Sequence, residues 1–244
     1  MTSTNNFGNP CIVAGVQPLL TDLPTAVNLH LYRHDTAGRA RLEDFIRSTF
    51  LRIYRAELAT FYPNLAAFSA DGQVRGVIGY RDGIVKPLFS EQYLDAPVEE
   101  VMAAYLQHGI ARQQIVEVGN LALSSPGDAR WAIAAMTVLL RSGGYRWVLF
   151  TATKPLFNTF QRLGLRPIPI ATPDPKRLPD SGRQWGSYYQ AAPRVYAGDI
   201  EAGYVKLITH VSDNHPKLYS LLQQARHIGM NNYVGAAQLM CAAV

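Results

Sequence analysis

The first regular pattern in the chain is the alternation of apolar and polar positions over residues 26–34, "AVNLHLYRH", which has the period of a half-buried strand. From Thr36 the period lengthens. Leu42, Phe45, Ile46, Phe50, Ile53, Tyr54, Leu58 and Phe61 recur three and four apart, which predicts one long amphipathic helix ended by Pro63. Residues 64–82 read as two strands around Asp71-Gly72, a hairpin turn signal, and Gly76 and Gly79 in the second strand mark a bulge or a close backbone approach. A loop follows and turns helical after Asp95-Ala96-Pro97, where Glu99 and Glu100 suit the helix dipole. Residues 115–123, "IVEVGNLAL", form an apolar strand that carries a carboxylate. A helix over about 128–142 comes next, stopped by Gly143-Gly144. Residues 145–153 have the continuous apolar character of a buried strand, and "PLFNTFQRLG" is a short helix closing on Gly164. "LRPIPIAT" is extended, "PDPKRLPDSGR" is a turn-rich insertion, and residues 184–198 alternate as a last strand. Beyond Asp199 the pattern is helical, with Pro216 opening a second helix.

The order is strand, helix, hairpin, helix, strand, helix, strand, helix, strand. It predicts an α/β fold whose sheet is mostly antiparallel with one central parallel pair joined by a helix. The expected division is an N-terminal extension (1–25), one domain (26–200) and a helical C-terminal appendage (201–244).

Composition changes this picture little: 48% hydrophobic and 17% charged residues are ordinary for a globular domain. Charge adds more. A net charge of +5 and a pI near 9.2 favour an anionic partner, such as a phosphate-bearing ligand, an acidic carrier protein, nucleic acid or a membrane. The Lys and Arg residues are scattered and mixed with acids, without a basic tract or a zinc-finger or RNA-binding signature, which argues against nucleic acid. Cys11 and Cys241 make neither a disulfide framework nor a metal site, and the six histidines have no metal spacing. The N-terminus lacks the basic start of a signal peptide. The longest apolar run, Trp131 to Leu140, is half of the roughly 20 residues that span a bilayer. A soluble, cytoplasmic protein is expected.

The element order resembles the GNAT acyltransferase superfamily. "VEVGNLAL", "VLFTAT" and "LFNTFQRLGLRPIPI", with "PLFSEQYLD" and the amphipathic first helix, look like the thermostable hemolysin family of bacteria, over about residues 26–200. That family is similar in fold to the acyl-homoserine-lactone synthases, whose corresponding strand reads Glu-Leu-Ser-Arg. Here those places hold Glu117, Val118, Gly119 and Asn120, so the glutamate is retained and the arginine replaced.

The resemblance implies acyl transfer from an acyl-CoA or acyl-carrier-protein thioester to a small amine or amino acid, with the donor as a substrate and no permanently bound cofactor or metal. It implies that the parallel strands at 115–123 and 146–153 splay around the donor's pantetheine arm. Gly119 would permit the bulge. Backbone at Leu121 and Leu123, with Thr151 and Thr153, would bond the arm. The turn "SSPGDAR" would hold the donor phosphates through Ser125, Gly127 and Arg130, although Asp128 there repels phosphate, which favours an acidic carrier protein as donor.

Glu117 is the expected base or amine-positioning carboxylate; the structural alternative is a salt bridge to Arg146 or Arg75. Asn120 is expected to hold substrate or backbone at the bulge. Glu91 and Tyr93 would approach the acceptor, and Phe89, Tyr93, Phe157 and Phe160 would line an acyl pocket. The tyrosine that protonates the leaving thiolate in many relatives of this fold is replaced by Phe160, leaving Tyr188 and Tyr189 as other hydroxyls. Two further functions stay open at this point. One is a membrane-lytic protein, with haemolysis direct or caused by an acylated product. The other is a non-catalytic acyl- or CoA-binding protein of the same fold.

Overall fold

The computed structural model describes residues 26–85, 87–210 and 216–232. The expected N-terminal extension, Cys11 and Cys241 lie outside them. Seven strands form one sheet: β1 (Asn28–Tyr32), β2 (Asn64–Ala70), β3 (Gln73–Asp82), β4 (Ile115–Leu123), β5 (Trp147–Ala152), β6 (Ile168–Ala171) and β7 (Arg194–Asp199). Their order is β1-β2-β3-β4-β5-β7-β6. β4 and β5 run parallel, and every other neighbouring pair is antiparallel. The helices are α1 (Arg39–Tyr54), α2 (Val98–Leu106), α3 (Ala129–Ser142), α4 (Lys154–Arg162), α5 (Ile200–His210) and α6 (Pro216–Asn231).

Side-chain alternation distributes these helices over two faces. In β2, Leu65 and Ala67 join the core under α1, while Ala66 and Phe68 join the core under α3 and α6. α3 is apolar almost all round and lies in the middle of the second face, with Trp131, Ile133, Met136, Leu139 and Leu140 buried. Leu218, Leu221, Leu222 and Ala225 of α6 belong to that same core, so the C-terminal helices are built into the domain. Gly229 allows α6 to pack closely on α3, since a Cβ there would stand 2.3 Å from the Leu139 carbonyl oxygen. The Gln224 side chain closes β1, accepting from the Leu29 amide at 3.0 Å and donating to the Val27 carbonyl at 3.3 Å.

Two expected elements are shorter than their periodicity suggests. α1 ends at Tyr54 because Arg55 turns into the left-handed region (φ 57°). The chain then bonds to a distant segment: the Glu57 amide to the Gln184 carbonyl at 2.7 Å, and the Ser187 amide to the Tyr54 carbonyl at 2.7 Å. Gly186 permits this crossing with φ 53°, where a Cβ would meet the Tyr54 carbonyl oxygen at 2.2 Å. The same crossing breaks the expected last strand. Residues 184–191 are short 3-10 turns, and only Arg194–Asp199 is extended.

Candidate active site

The site forms where the one parallel pair comes apart. β4 and β5 pair from Ile115↔Trp147 to Val118↔Phe150 and no further, although both strands continue. On its other side β4 pairs Gly119 with Gly79 and Ala122 with Val77, so three steps of β4 match two of β3. The extra residue is a bulge, and Asn120 takes φ 49° in it. The bulge resets the alternation: Ala122 faces the α1 core, while Leu121 and Leu123 pack toward α3.

Tyr62 locks the bulge. Its amide donates to Asn120 Oδ1 at 2.8 Å, and its ring lies flat against Gly119, where a Cβ would stand 2.9 Å from Cζ. Arg81 stacks on the outer side of that ring, 4.2 Å from guanidinium carbon to centroid. The Tyr62 hydroxyl is buried close to Glu117; burial first, then the nearby Glu117 charge, raise its pKa well above the ordinary tyrosine value, against the opposing pull of Arg81.

Glu117 is completely buried. Its oxygens accept the Phe89 amide at 2.8 Å and the Ser90 amide at 2.7 Å, and Arg81 Nε lies 3.6 Å away. Arg146 and Arg75, the partners suggested by the sequence, instead pair with Asp199 and Asp128. Glu117 does not border the cavity described below. It is therefore not positioned to take a proton directly from a bound amine. It fixes the turn of residues 89–93.

Glu91 anchors the same turn from the other side. It accepts both Arg112 terminal nitrogens at 2.7 Å, the Leu88 amide at 2.7 Å and the Val98 amide at 3.1 Å. Burial works to raise its pKa, but the Arg112 bonds and the two amides prevail and bring it down to about 2. The expectation that Glu91 meets an acceptor gives way to this ion pair.

A cavity of about 810 Å³ runs through the opening between β4 and β5. On the α1 side it is walled by Tyr62, Arg81, Phe89, Tyr93, Trp185 and Tyr188. These aromatic rings form a connected box: Phe89–Trp185 at 5.5 Å, Trp185–Tyr188 at 5.3 Å and Tyr54–Tyr188 at 5.1 Å between centroids. On the α3 side the lining is Ile133, Met136, Leu140, Val148, Leu156 and Phe160, nearly all aliphatic. Asn120, Leu121, Leu123, Thr151 and Thr153 border the passage itself. Thr151 Oγ1 and Trp185 Nε1 are buried there without a hydrogen-bond partner.

Of the residues expected from sequence, Phe89, Tyr93, Asn120, Leu121, Leu123, Thr151, Thr153 and Phe160 come together around this cavity. Phe157 does not line it; its ring stacks on Tyr196 at 4.9 Å. Ser125, Gly127 and Arg130 are also outside the lining. The expected phosphate cradle is closed on itself. Ser125 Oγ accepts the Gly127 amide at 3.4 Å, its carbonyl accepts the Asp128 amide at 3.1 Å, and the Ala129 amide bonds to the Pro126 carbonyl. The repulsive charge of Asp128 is met by Arg75 at 3.3 Å.

Tyr189 turns away to bond Tyr93, oxygen to oxygen at 2.5 Å; burial, against the Tyr93 bond, pushes its hydroxyl up to about 12. Tyr62, Arg81 and Trp185 were not singled out from the sequence. The signal for Arg81 was present in the strand pairing, since it sits opposite Glu117 once the hairpin register is extended to β4. Tyr62 falls inside the segment that the helical period covers up to Pro63 but is not one of its periodic apolar positions. Among the described residues no group of His, Cys, Asp and Glu is arranged to hold a metal, and no helix is long and apolar enough to cross a membrane.

A mostly antiparallel sheet with one parallel pair that parts at a bulge is the fold of the GNAT-like acyltransferases. The chain belongs to the thermostable hemolysin family, whose family model matches residues 32–204. No curated protein matches the chain. Among solved structures it is similar to FeeM, an N-acyl amino acid synthase from uncultured soil microbes, with a TM-score of 0.51 and 10% identity over 76% of this chain and 98% of that one. It is also similar to BjaI, a CoA-dependent acyl-homoserine lactone synthase solved with SAM and isopentyl-CoA, with a TM-score of 0.50 and 12% identity over 80% and 90% of the two chains.

Proposed function

We propose that the protein is an N-acyltransferase that moves a fatty acyl group from a thioester donor to a small amine or amino acid. The observation that carries this reading is the end of β4–β5 pairing at Val118 and Phe150, which opens the sheet into a cavity lined by Ile133, Met136 and Leu156 on the α3 side and by aromatic rings and Arg81 on the α1 side. A thioester arm lying in that opening can bond the unpaired strand edges and the free Thr151 hydroxyl, with Thr153 beside it. Its acyl chain lies among Ile133, Met136, Leu156 and Phe160, which shed water on burying it. The acceptor enters beside Tyr62.

The amine nitrogen attacks the thioester carbonyl carbon, the carbon–sulfur bond breaks, and the sulfur leaves as thiolate. Before attack the ammonium gives one proton to the Tyr62 hydroxyl as that hydroxyl gives its own to Glu117, and the second proton, released from nitrogen as the tetrahedral intermediate collapses, passes to solvent. Asn120 contributes by holding Tyr62 and the bulge in register. Phe160 stands where a general acid is often found, so the thiolate is protonated from solvent. The closed turn at Ser125 and the net positive charge favour a carrier-protein donor over free coenzyme A in this reading, and such donors place the reaction in the cytoplasm.

The test is thiol release from acyl-CoA and acyl-carrier thioesters with a panel of amines and amino acids, with product masses measured. No acceptor-dependent thiol release from any donor removes the proposal. Direct lysis is separated in the same preparation: erythrocytes lysed by pure protein without donor or acceptor would favour a lytic protein.

A further inference from the structure

Resting on the acyltransferase reading, we infer that the acceptor is a free α-amino acid with an apolar or aromatic side chain, and that Arg81 pairs with its α-carboxylate. Arg81 is four-fifths buried and borders the cavity. It is pinned on two sides, with Tyr62 under its plane at 4.2 Å and Glu117 beyond Nε at 3.6 Å. Its guanidinium makes no hydrogen bond to any described residue, and Nε is buried without a hydrogen-bond partner. A planar fork of donors held in this way is suited to a carboxylate, which it can grip with two parallel bonds.

The charge of the cavity points the same way. At the aromatic end the lining carries Arg52 and Arg81 and no carboxylate, with Glu117 standing behind Arg81 and outside the cavity. A simple amine enters as an ammonium ion and is repelled beside Arg81. An amino acid enters as a zwitterion whose carboxylate offsets that repulsion and whose nitrogen can then lie toward Tyr62. The side chain is directed into the box of Phe50, Tyr54, Trp185 and Tyr188, where apolar or aromatic surface is welcome.

The test compares matched acceptors, phenylalanine against phenethylamine and leucine against isopentylamine, by kcat/KM with one thioester donor. The expected preference for the amino acid is about 100-fold or more, the scale of a desolvated charge pair. In Arg81→Gln the kcat/KM for phenylalanine falls far more than that for phenethylamine, so the preference between the two collapses toward one; Arg81→Lys, which keeps the charge and loses the fork, falls between wild type and Arg81→Gln. Equal use of amine and amino acid by the wild type overturns the inference, as does an equal loss toward both in the variants. Calorimetric titration with phenylalanine and phenethylamine separates this from the parent reading. If nothing is acylated but phenylalanine alone binds, the carboxylate site stands and the acyltransferase reading fails; if neither binds, or both bind equally, the carboxylate site is overturned.

Discussion

Arg81 and Glu117 face each other directly across the β3–β4 ladder, with Nε 3.6 Å from Oε2, and the carboxylate is the wholly buried member of the pair. Removing its charge leaves Arg81 without a counter-ion and weakens the bonds to the Phe89 and Ser90 amides. Glu117→Gln should lower unfolding stability by about 3 kcal/mol, the usual scale for breaking a buried pair. Urea unfolding checks this. A variant of wild-type stability would mean that the turn at 89–93 does not depend on that charge.

Asn120 should tolerate glycine better than alanine. Its φ of 49° strains any residue with a Cβ and without the local bonding of an asparagine side chain, and its Oδ1 holds the Tyr62 amide. Asn120→Ala should cost about 2 kcal/mol and Asn120→Gly about 1 kcal/mol, since glycine loses the bond but not the conformation. Equal losses in thermal or urea unfolding would show that backbone strain plays no part there.

Gly119→Ala tests the contact between bulge and ring. The new methyl would stand 2.9 Å from Tyr62 Cζ, and neither the strand nor the ring, held under Arg81, has room to yield. The expected cost is about 1–3 kcal/mol, as for an overpacked core. Acyl transfer should fall with it. Pairing this substitution with Tyr62→Leu should recover stability but not activity; recovery of both would remove Tyr62 from the reaction.

Acid should loosen the turn at 88–98 by a path that Glu91 controls. Its folded pKa, about 2, lies below the 4.5 of a free glutamate side chain, so the unfolded chain binds more protons between those values. The stability it contributes is therefore complete above about pH 4.5 and is lost as pH falls toward 2. Glu91→Gln should flatten that limb of a melting-temperature profile. An unchanged limb would assign acid sensitivity to other carboxylates.

The aliphatic end of the cavity should set acyl chain length. Ile133→Trp or Leu156→Trp fills it without touching the aromatic end. Long-chain donors should lose most of their kcat/KM while short-chain donors keep theirs. A uniform loss across chain lengths would place the acyl group elsewhere.

The sequence was most legible where one signal decided the element. β4 spans Ile115–Leu123 as its apolar run implied, and α3 ends one residue before Gly143-Gly144. It was least legible where a distant segment reversed a local pattern. Leu58 and Phe61 keep helical spacing beyond Tyr54, yet the chain there bonds to Gln184 and Ser187, which no local period encodes. Residues 184–191 alternate like a strand, but left-handed turns at Gly182, Gly186 and Ala192 fold them into a knot of aromatic rings. The likeness to acyltransferases pointed to the strand and passage where the cavity lies. It did not reveal that Glu117 faces inward, because that depends on which residue of β3 stands opposite, and the bulge shifts the register only beyond it.

The hydrogen bonds from Gln224 to β1 have a consequence for how copies of this protein meet. An uncovered outer strand offers a row of amides and carbonyls to any extended chain, including another molecule of its own kind. Here the Gln224 amide occupies Val27 and Leu29 on one rim of the sheet, and Pro169 interrupts the donors of β6 on the other. Both rims are thereby blunted against strand exchange. Loss of α6 would uncover one of them together with a strip of apolar core, so the C-terminal helix protects the folded chain against aggregation as well as stabilising it.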